Sequence, residues 1–117
     1  MAAYGLVLPV LPGKEEQARG LAEELRGPRR GAHEASRRRL GLTSEQAWLQ
    51  RTPQGTMLIV YLELEADDIE RMLVDSAASD DPFDRWWRQQ LQDFTGLVMT
   101  PPSPGETNEH IFDWHRQ

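Results

Sequence analysis

Thr56-Met57-Leu58-Ile59-Val60-Tyr61-Leu62-Glu63-Leu64-Glu65 is the strongest strand signal in the chain. Apolar, β-branched and aromatic residues fill it, and no glycine or proline interrupts it. Side chains alternate across a strand, so Met57, Ile59 and Tyr61 fall on one face, and Leu58, Val60, Leu62 and Leu64 on the other. Both faces are apolar. A strand with one wet face alternates with polar residues, so this one requires cover on both sides.

Immediately upstream, Thr52-Pro53-Gln54-Gly55 reads as a hairpin turn. Pro53 suits the second position of a type I turn, and Gly55 the left-handed position that follows. The turn leads back to a second strand over residues 45–51, with Trp48 and Gln50 on one side and Ala47 and Leu49 on the other. Further back, Lys14 begins a helical pattern that puts Ala18, Leu21, Ala22 and Leu25 on one face. Gly27-Pro28 interrupts it, and Pro28 either kinks one helix or starts a second. Carried through the break, the helical count places Arg29, His33, Ser36 and Leu40 on the same face. The inward surface is therefore apolar in its first half and polar in its second. Gly41 is a natural stop. Residues 4–10 read as a first strand, closed by Pro9, Pro12 and Gly13.

Downstream, Asp67-Asp68 open a helix that runs through Ile69, Met72, Leu73 and Ser76. Ser79-Asp80-Asp81-Pro82-Phe83-Asp84-Arg85-Trp86-Trp87 opens another. Asp81 is the N-cap, Pro82 the first helical residue, and Asp84 is spaced to reach back toward the cap. Phe83, Trp86, Trp87, Gln90, Leu91 and Phe94 recur at helical spacing and need a broad apolar surface to lie on. Gly96-Leu97-Val98-Met99 reads as a short last strand. Residues 100–105 are proline-rich and predict a stiff linker. The tail beyond carries Ile111, Phe112 and Trp114, too apolar for a purely disordered segment, and is expected to dock on the body or on a neighbouring chain. The expected organisation is a domain over residues 1–99 and a linker with a docking tail over residues 100–117.

The order strand, helix, strand, strand, helix, strand is the ferredoxin-like βαββαβ arrangement. It is an α+β fold with a four-stranded antiparallel sheet and helices on one face. Two helices leave the other side of residues 56–65 bare. A second copy stacked face to face in a two-fold homodimer covers it; the alternative is a monomer whose third strand is simply central.

The chain has no cysteine, which excludes disulfides, thiolate metal sites and a cysteine nucleophile, and fits a cytoplasmic location. A net charge of −6 argues against nonspecific nucleic-acid binding. No signal peptide is visible, and the longest apolar run, residues 57–62, is too short to span a membrane. Arg26, Arg29, Arg30, Arg37, Arg38 and Arg39 crowd one segment. They read either as a solvated helix whose last turn suits its dipole or as the lining of a site for an anionic group.

His33 is the candidate for acid–base chemistry, as a general base or orienting donor at the mouth of a cavity; packing as a partly buried, hydrogen-bonded histidine is the alternative. Arg29 and Ser36 lie near it on the same face. Trp48, Gln50, Tyr61, Trp86 and Trp87 are the residues expected to approach the cavity, or else to pack as core. The strand register decides which of Trp48 and Tyr61 share a face, and the sequence leaves it open. His110 and His115, with Glu109 and Asp113, do not stack on a helix face, so no metal site is expected. The helices of the second half offer no histidine as a haem ligand, and no phosphate loop or nucleophile elbow is present.

Four stretches carry a family resemblance: Pro12-Gly13-Lys14-Glu15-Glu16, Arg26-Gly27-Pro28-Arg29-Arg30, Glu34-Ala35-Ser36-Arg37-Arg38-Arg39-Leu40-Gly41, and the block from Ser79 to Trp87, the most specific of them. Together they resemble a family of small, functionally uncharacterised bacterial proteins, similar in turn to the dimeric α+β barrel superfamily. The likeness spans most of residues 1–99. It implies paired sheets forming a dimeric α+β barrel and, often, a small-molecule cavity between helices and sheet. That superfamily includes cofactor-free quinone-forming monooxygenases, haem-degrading enzymes, sugar mutarotases and polyketide cyclases, so the resemblance implies a fold and not one reaction. The expectation is a small homodimer that binds, and in the enzymatic case transforms, a polar or aromatic organic molecule without a bound cofactor. The competing expectation is a non-catalytic interaction module whose aromatics are core.

Overall fold

The computed structural model describes residues 2–100 and 108–116. Seven elements follow in order: β1 (Ala2–Pro9), α1 (Glu15–Arg26), α2 (Arg30–Arg39), β2 (Leu42–Thr52), β3 (Gly55–Leu64), α3 (Ile69–Ala78) and α4 (Pro82–Thr95). The fold is α+β, with four helices and one antiparallel sheet in the order β1-β3-β2. The doubly apolar strand is thus central, as its composition requires.

Register fixes the two faces. Leu6 and Ala47 both sit opposite Val60, and Tyr4 and Glu45 both opposite Leu62, so these residues share the face of Leu58, Leu62 and Leu64. The helices pack there. Ala18 and Leu21 of α1 and Leu91 and Phe94 of α4 form one buried cluster with Val10 and Leu58. Met72 of α3 joins Tyr4, Leu62 and Leu64 in a second. Each such side chain, fully buried, contributes about 1.5–3 kcal/mol. Opposite lie Val7, Trp48 and Gln50, with Met57, Ile59 and Tyr61 between them.

Local signals set the element ends. The Asp68 side chain accepts from the Arg71 N–H at 2.9 Å, and Asp81 accepts from the Phe83 N–H at 2.9 Å just ahead of Pro82 at the helix start. Gly55 closes the hairpin with a positive φ, and Thr52 Oγ1 accepts from the Gln54 N–H. Gly96 ends α4 at φ 76°, with Leu11 only 3.3 Å from where a β-carbon would stand, so conformation and space both demand glycine.

Pro28 separates two helices rather than kinking one: the N–H groups of Gly27 and Arg29 both fold back to the Glu24 carbonyl. The expected fourth strand is corrected, because no strand forms over residues 96–99 among the described residues. Gly96 is spent on the helix stop, and Pro101 and Pro102 follow too soon for a ladder to build. Instead the Leu11 N–H donates to the Phe94 carbonyl at 2.8 Å, and Met99 packs beside the first core cluster. Among the described residues no strand pairs with the outer edge of β1; there the Gly5 N–H donates to the Asn108 side chain at 2.6 Å. The expected linker lies outside the described residues beyond Thr100. No helix among the described residues is long and apolar enough to cross a membrane.

Candidate functional site

A cavity of about 330 Å³ separates the helices from the sheet. Leucines and valines of β1, α1 and β3 line most of it, with Met72, Trp87 and Phe94. At one end the wall turns polar, with His33 and Arg37 from α2 and Glu45 and Gln46 from β2. The polar half of the first helical face therefore meets the one acidic residue on the inner face of β2. His33, Arg37 and Glu45 also border a smaller outer cleft of about 250 Å³ with Glu34, Arg38, Thr43 and Ser44. They form a partition between the interior and the surface.

Within this partition His33 Nε2 lies 2.6 Å from Glu45 Oε1. Arg37 donates to the same carboxylate twice, Nε to Oε1 at 2.9 Å and Nη2 to Oε2 at 3.0 Å. Burial pushes the Glu45 carboxyl up, but the hydrogen bonds from His33 and Arg37, with the Arg37 charge, outweigh it and hold the carboxyl down at about 2. An ionised carboxylate can only accept, so Nε2 of His33 must carry the proton in this pair. With the Nε2 proton directed at Glu45, Nδ1 is the ring nitrogen left to take up or release a proton.

The partition is braced from behind. Arg37 Nη1 donates to Ser36 Oγ at 3.0 Å, and Ser36 Oγ donates in turn to Asp84 Oδ1. Asp84 Oδ2 also accepts from Ser79 Oγ at 2.6 Å and Arg39 Nη2 at 3.1 Å. Burial acts to raise the Asp84 carboxyl, yet these donors leave it below its ordinary range. Asp84 does reach back toward its own helix cap, but indirectly: it holds Ser79 Oγ, which accepts from the Asp81 N–H, and its oxygens also serve Ser36 and Arg39. Aromatic faces complete the bracing, with the Arg37 guanidinium 4.6 Å from the Trp87 ring centre and that of Arg29 3.8 Å from Trp86. Phe83 meets the edge of His33 with centroids 6.0 Å apart. Among the described residues, no buried side-chain nitrogen or oxygen lacks a partner.

Of the residues predicted to form a site, His33 and Trp87 line the cavity. Arg29, Ser36 and Trp86 stand behind it as supports. Trp48, Gln50 and Tyr61 do share a face, but it is the one turned away from the helices, so their expected approach to the cavity is corrected by register. Arg37 was named only within the arginine cluster that could line an anion site, and Glu45 was not named as a site residue. An acidic side chain in phase with Ala47 and Leu49 was the available signal for Glu45, and it needed the correct inward face to be read. Three of the crowded arginines are paired locally, Arg26 with Glu23, Arg29 with Glu24 and Arg30 with Glu34, while Arg39 reaches across to Asp81 and Asp84. On the tail, His110 pairs with Asp113 at 3.5 Å, and no group of three or more potential ligands is placed to hold a metal ion among the described residues.

In fold, the chain is similar to tetracenomycin F2 cyclase. That protein, from Streptomyces glaucescens, is a type-II polyketide cyclase; the likeness covers 100% of both chains at 18% sequence identity, with a TM-score of 0.51. At that identity it carries the ferredoxin-like α+β architecture alone. No protein-family model matches the sequence, and no curated protein does. The resemblance to a family of uncharacterised bacterial proteins therefore has no support from sequence families, whereas the likeness to a cyclase fold has support from structure.

Proposed function

We propose that this protein binds a small, flat, carbonyl-bearing organic molecule in the helix–sheet cavity and moves a proton on it, as an isomerase or cyclase without a bound cofactor. The observation that carries this is the His33–Glu45 pair, 2.6 Å apart, in the polar end wall of an otherwise apolar cavity. A cavity of about 330 Å³ falls within the size range of small-molecule sites. The activity of the fold neighbour, a polyketide cyclase, supports the same substrate class.

The chemistry follows from charge. Arg37 and Glu45 cancel, so the polar wall is close to neutral while His33 is neutral. Nδ1 of His33 removes a proton from a carbon beside a carbonyl. The resulting imidazolium is held by the Glu45 carboxylate, and its charge faces the new enolate. In a cyclase the enolate carbon then forms a carbon–carbon bond to a second carbonyl of the same molecule, and His33 returns the proton to the alkoxide. In an isomerase the proton returns to a different carbon. The protein works in this reading as a cytoplasmic homodimer. Two sheets stack through the face of Trp48, Ile59 and Tyr61, which the helices of one chain do not cover, and this supports the dimer.

A hydroxylated anthrone added to the purified protein tests the binding. It should raise the melting temperature and quench tryptophan emission, and Ala22→Phe, which fills the cavity, should abolish both effects. On a polyketone that the wild type turns over, His33→Ala should lower kcat by about 10²–10⁴ while leaving binding intact. Wild-type protein unmoved by every fused-ring probe would favour the interaction-module reading, in which the open sheet face and the tail are the working surfaces.

A further inference from the structure

Among the exposed large apolar side chains of the described residues, which also include Leu11, Val74, Leu97 and Val98, two sets stand out. One is the open sheet face, where Val7 is 58% and Trp48 50% exposed. The other is the tail, where Ile111, Phe112 and Trp114 are 85%, 79% and 71% exposed. We propose that residues 108–116 of each protomer cross to a second copy of the chain and close the rim of the stacked sheet faces, at Val7 and Trp48 on the outer strands, with Ile111, Phe112 and Trp114. The proposal rests on the homodimer of the preceding reading and adds what completes its interface.

Three observations point to a second copy as the occupant. First, the take-off point is fixed. Asn108 is tied to the Gly5 N–H on the outer edge of β1, and the backbone groups of Ala3 and Val7, two residues to either side, face outward at the same edge. From that anchor the tail leaves with its large side chains in solvent, making no cover for its own sheet. Second, the two sets are chemically complementary, since aromatic and aliphatic side chains dominate both. A two-fold axis makes each contact twice, tail one on rim two and tail two on rim one, and so closes the assembly. Third, the area suffices. Aromatic side chains bury about 150–250 Å² each, so two tails and two receiving rims together bring roughly 1,600 Å², the size of a standard stable interface. The anchored start also lowers the entropy lost on docking, because only the residues after Asn108 must be ordered.

The absence of cysteine makes the test clean. One full-length chain carries His115→Cys on the tail and a second, with a tag of different mass, carries Gln50→Cys on the open face; neither change removes a proposed apolar contact. After mixing, subunit exchange and mild oxidation, the expected product is a disulfide-linked dimer of one chain of each kind. A single chain carrying both cysteines that closes only within itself would overturn the crossing and place the tail on its own sheet. A dimer by sedimentation with neither cross-link would also overturn it, leaving the sheet-to-sheet dimer standing. A chain that sediments as a monomer at every concentration would overturn crossing and dimer together. In parallel, Phe112→Ser with Trp114→Ser should raise the dimer dissociation constant about a hundredfold or more; an unchanged constant counts against the proposal.

Discussion

The two faces of the sheet are built from similar side chains and have opposite fates. Toward the helices, Leu58, Val60 and Leu62 are packed by three helices, and the few polar groups among them, Glu45, Arg37 and Ser36, are hydrogen-bonded in one chain. Away from the helices, Met57, Ile59 and Tyr61 are half-buried between their sheet neighbours, with Trp48 and Val7 largely bare beside them. One face holds polar groups that burial makes reactive and that only a pre-built network can keep there. The other holds apolar groups that exposure makes adhesive. In the proposed reading, chemistry and assembly fall on opposite sides of the same three strands, with β3 shared between them.

The sharpest way to break this contrast is to damage each face in turn. Arg37→Met removes the bidentate partner of Glu45 and leaves a buried carboxylate with His33 alone, a kind of loss that costs about 3–5 kcal/mol. Trp48→Ser on the open face should change the stability of the isolated chain by no more than about 0.5 kcal/mol, as for other exposed sites. Urea denaturation of both variants at low protein concentration decides it. Equal losses would mean that the helix face carries no special polar network.

What could be read in advance divides along the same line. Element identity was legible wherever side-chain period and end signals agreed. β3 was marked by apolar residues in both phases, α3 and α4 by Asp68 and Asp81 as caps, and the hairpin by Pro53 and Gly55. Gly96 was misleading, because a glycine before two apolar residues looks like a strand start until Leu11 and Phe94 are seen closing the helix end. The site was legible only in part. Helical phase carried His33 inward, but alternation along β2 gives two faces without saying which meets the helices, and the large aromatic Trp48 drew attention to the wrong one. Glu45 and Asp84 are recognisable only once partners 8 to 48 residues away in sequence are in place.

A smaller effect follows from acid. The Glu45 carboxyl is held at about 2 in the folded chain against an ordinary 4.5, so its ionisation stabilises the fold fully above the ordinary value. That stability is lost as pH falls from about 4.5 through about 2, where the folded form also takes up its proton. A displacement of this size corresponds to at most about 3 kcal/mol. Asp84, also lowered, adds to the loss in the same direction. Stability measured from pH 6 down to pH 2 should therefore fall in the wild type and fall less steeply in Glu45→Gln, whose lower plateau already lacks this contribution. Trp48→Ser should keep the wild-type slope. A Glu45→Gln slope equal to the wild type would place the acid-sensitive carboxyl elsewhere.

The smallest effect probes how the reactive face is held. Ser36 has one hydroxyl proton and gives it to Asp84, so its oxygen is left to accept from Arg37. Through Arg37 this fixes the carboxylate that in turn fixes the His33 ring. Ser36→Ala leaves one Arg37 N–H without its acceptor and takes one donor from Asp84, at a cost of about 1–3 kcal/mol. Ser76 is a fair control on the same side of the sheet, since its hydroxyl meets only the Met99 sulfur at 3.8 Å, and Ser76→Ala should cost less. Stability alone would not separate bracing from packing, but the imidazole does. In the wild type, nitrogen-15 spectra should show a His33 proton on Nε2, directed at Glu45. Ser36→Ala should admit the Nδ1–H form as Arg37 and Glu45 loosen, and Ser76→Ala should not. A single unchanged His33 tautomer in a folded Ser36→Ala protein would mean that Glu45 holds the ring unaided and that the chain from Asp84 to Arg37 serves only to join α2 to α4.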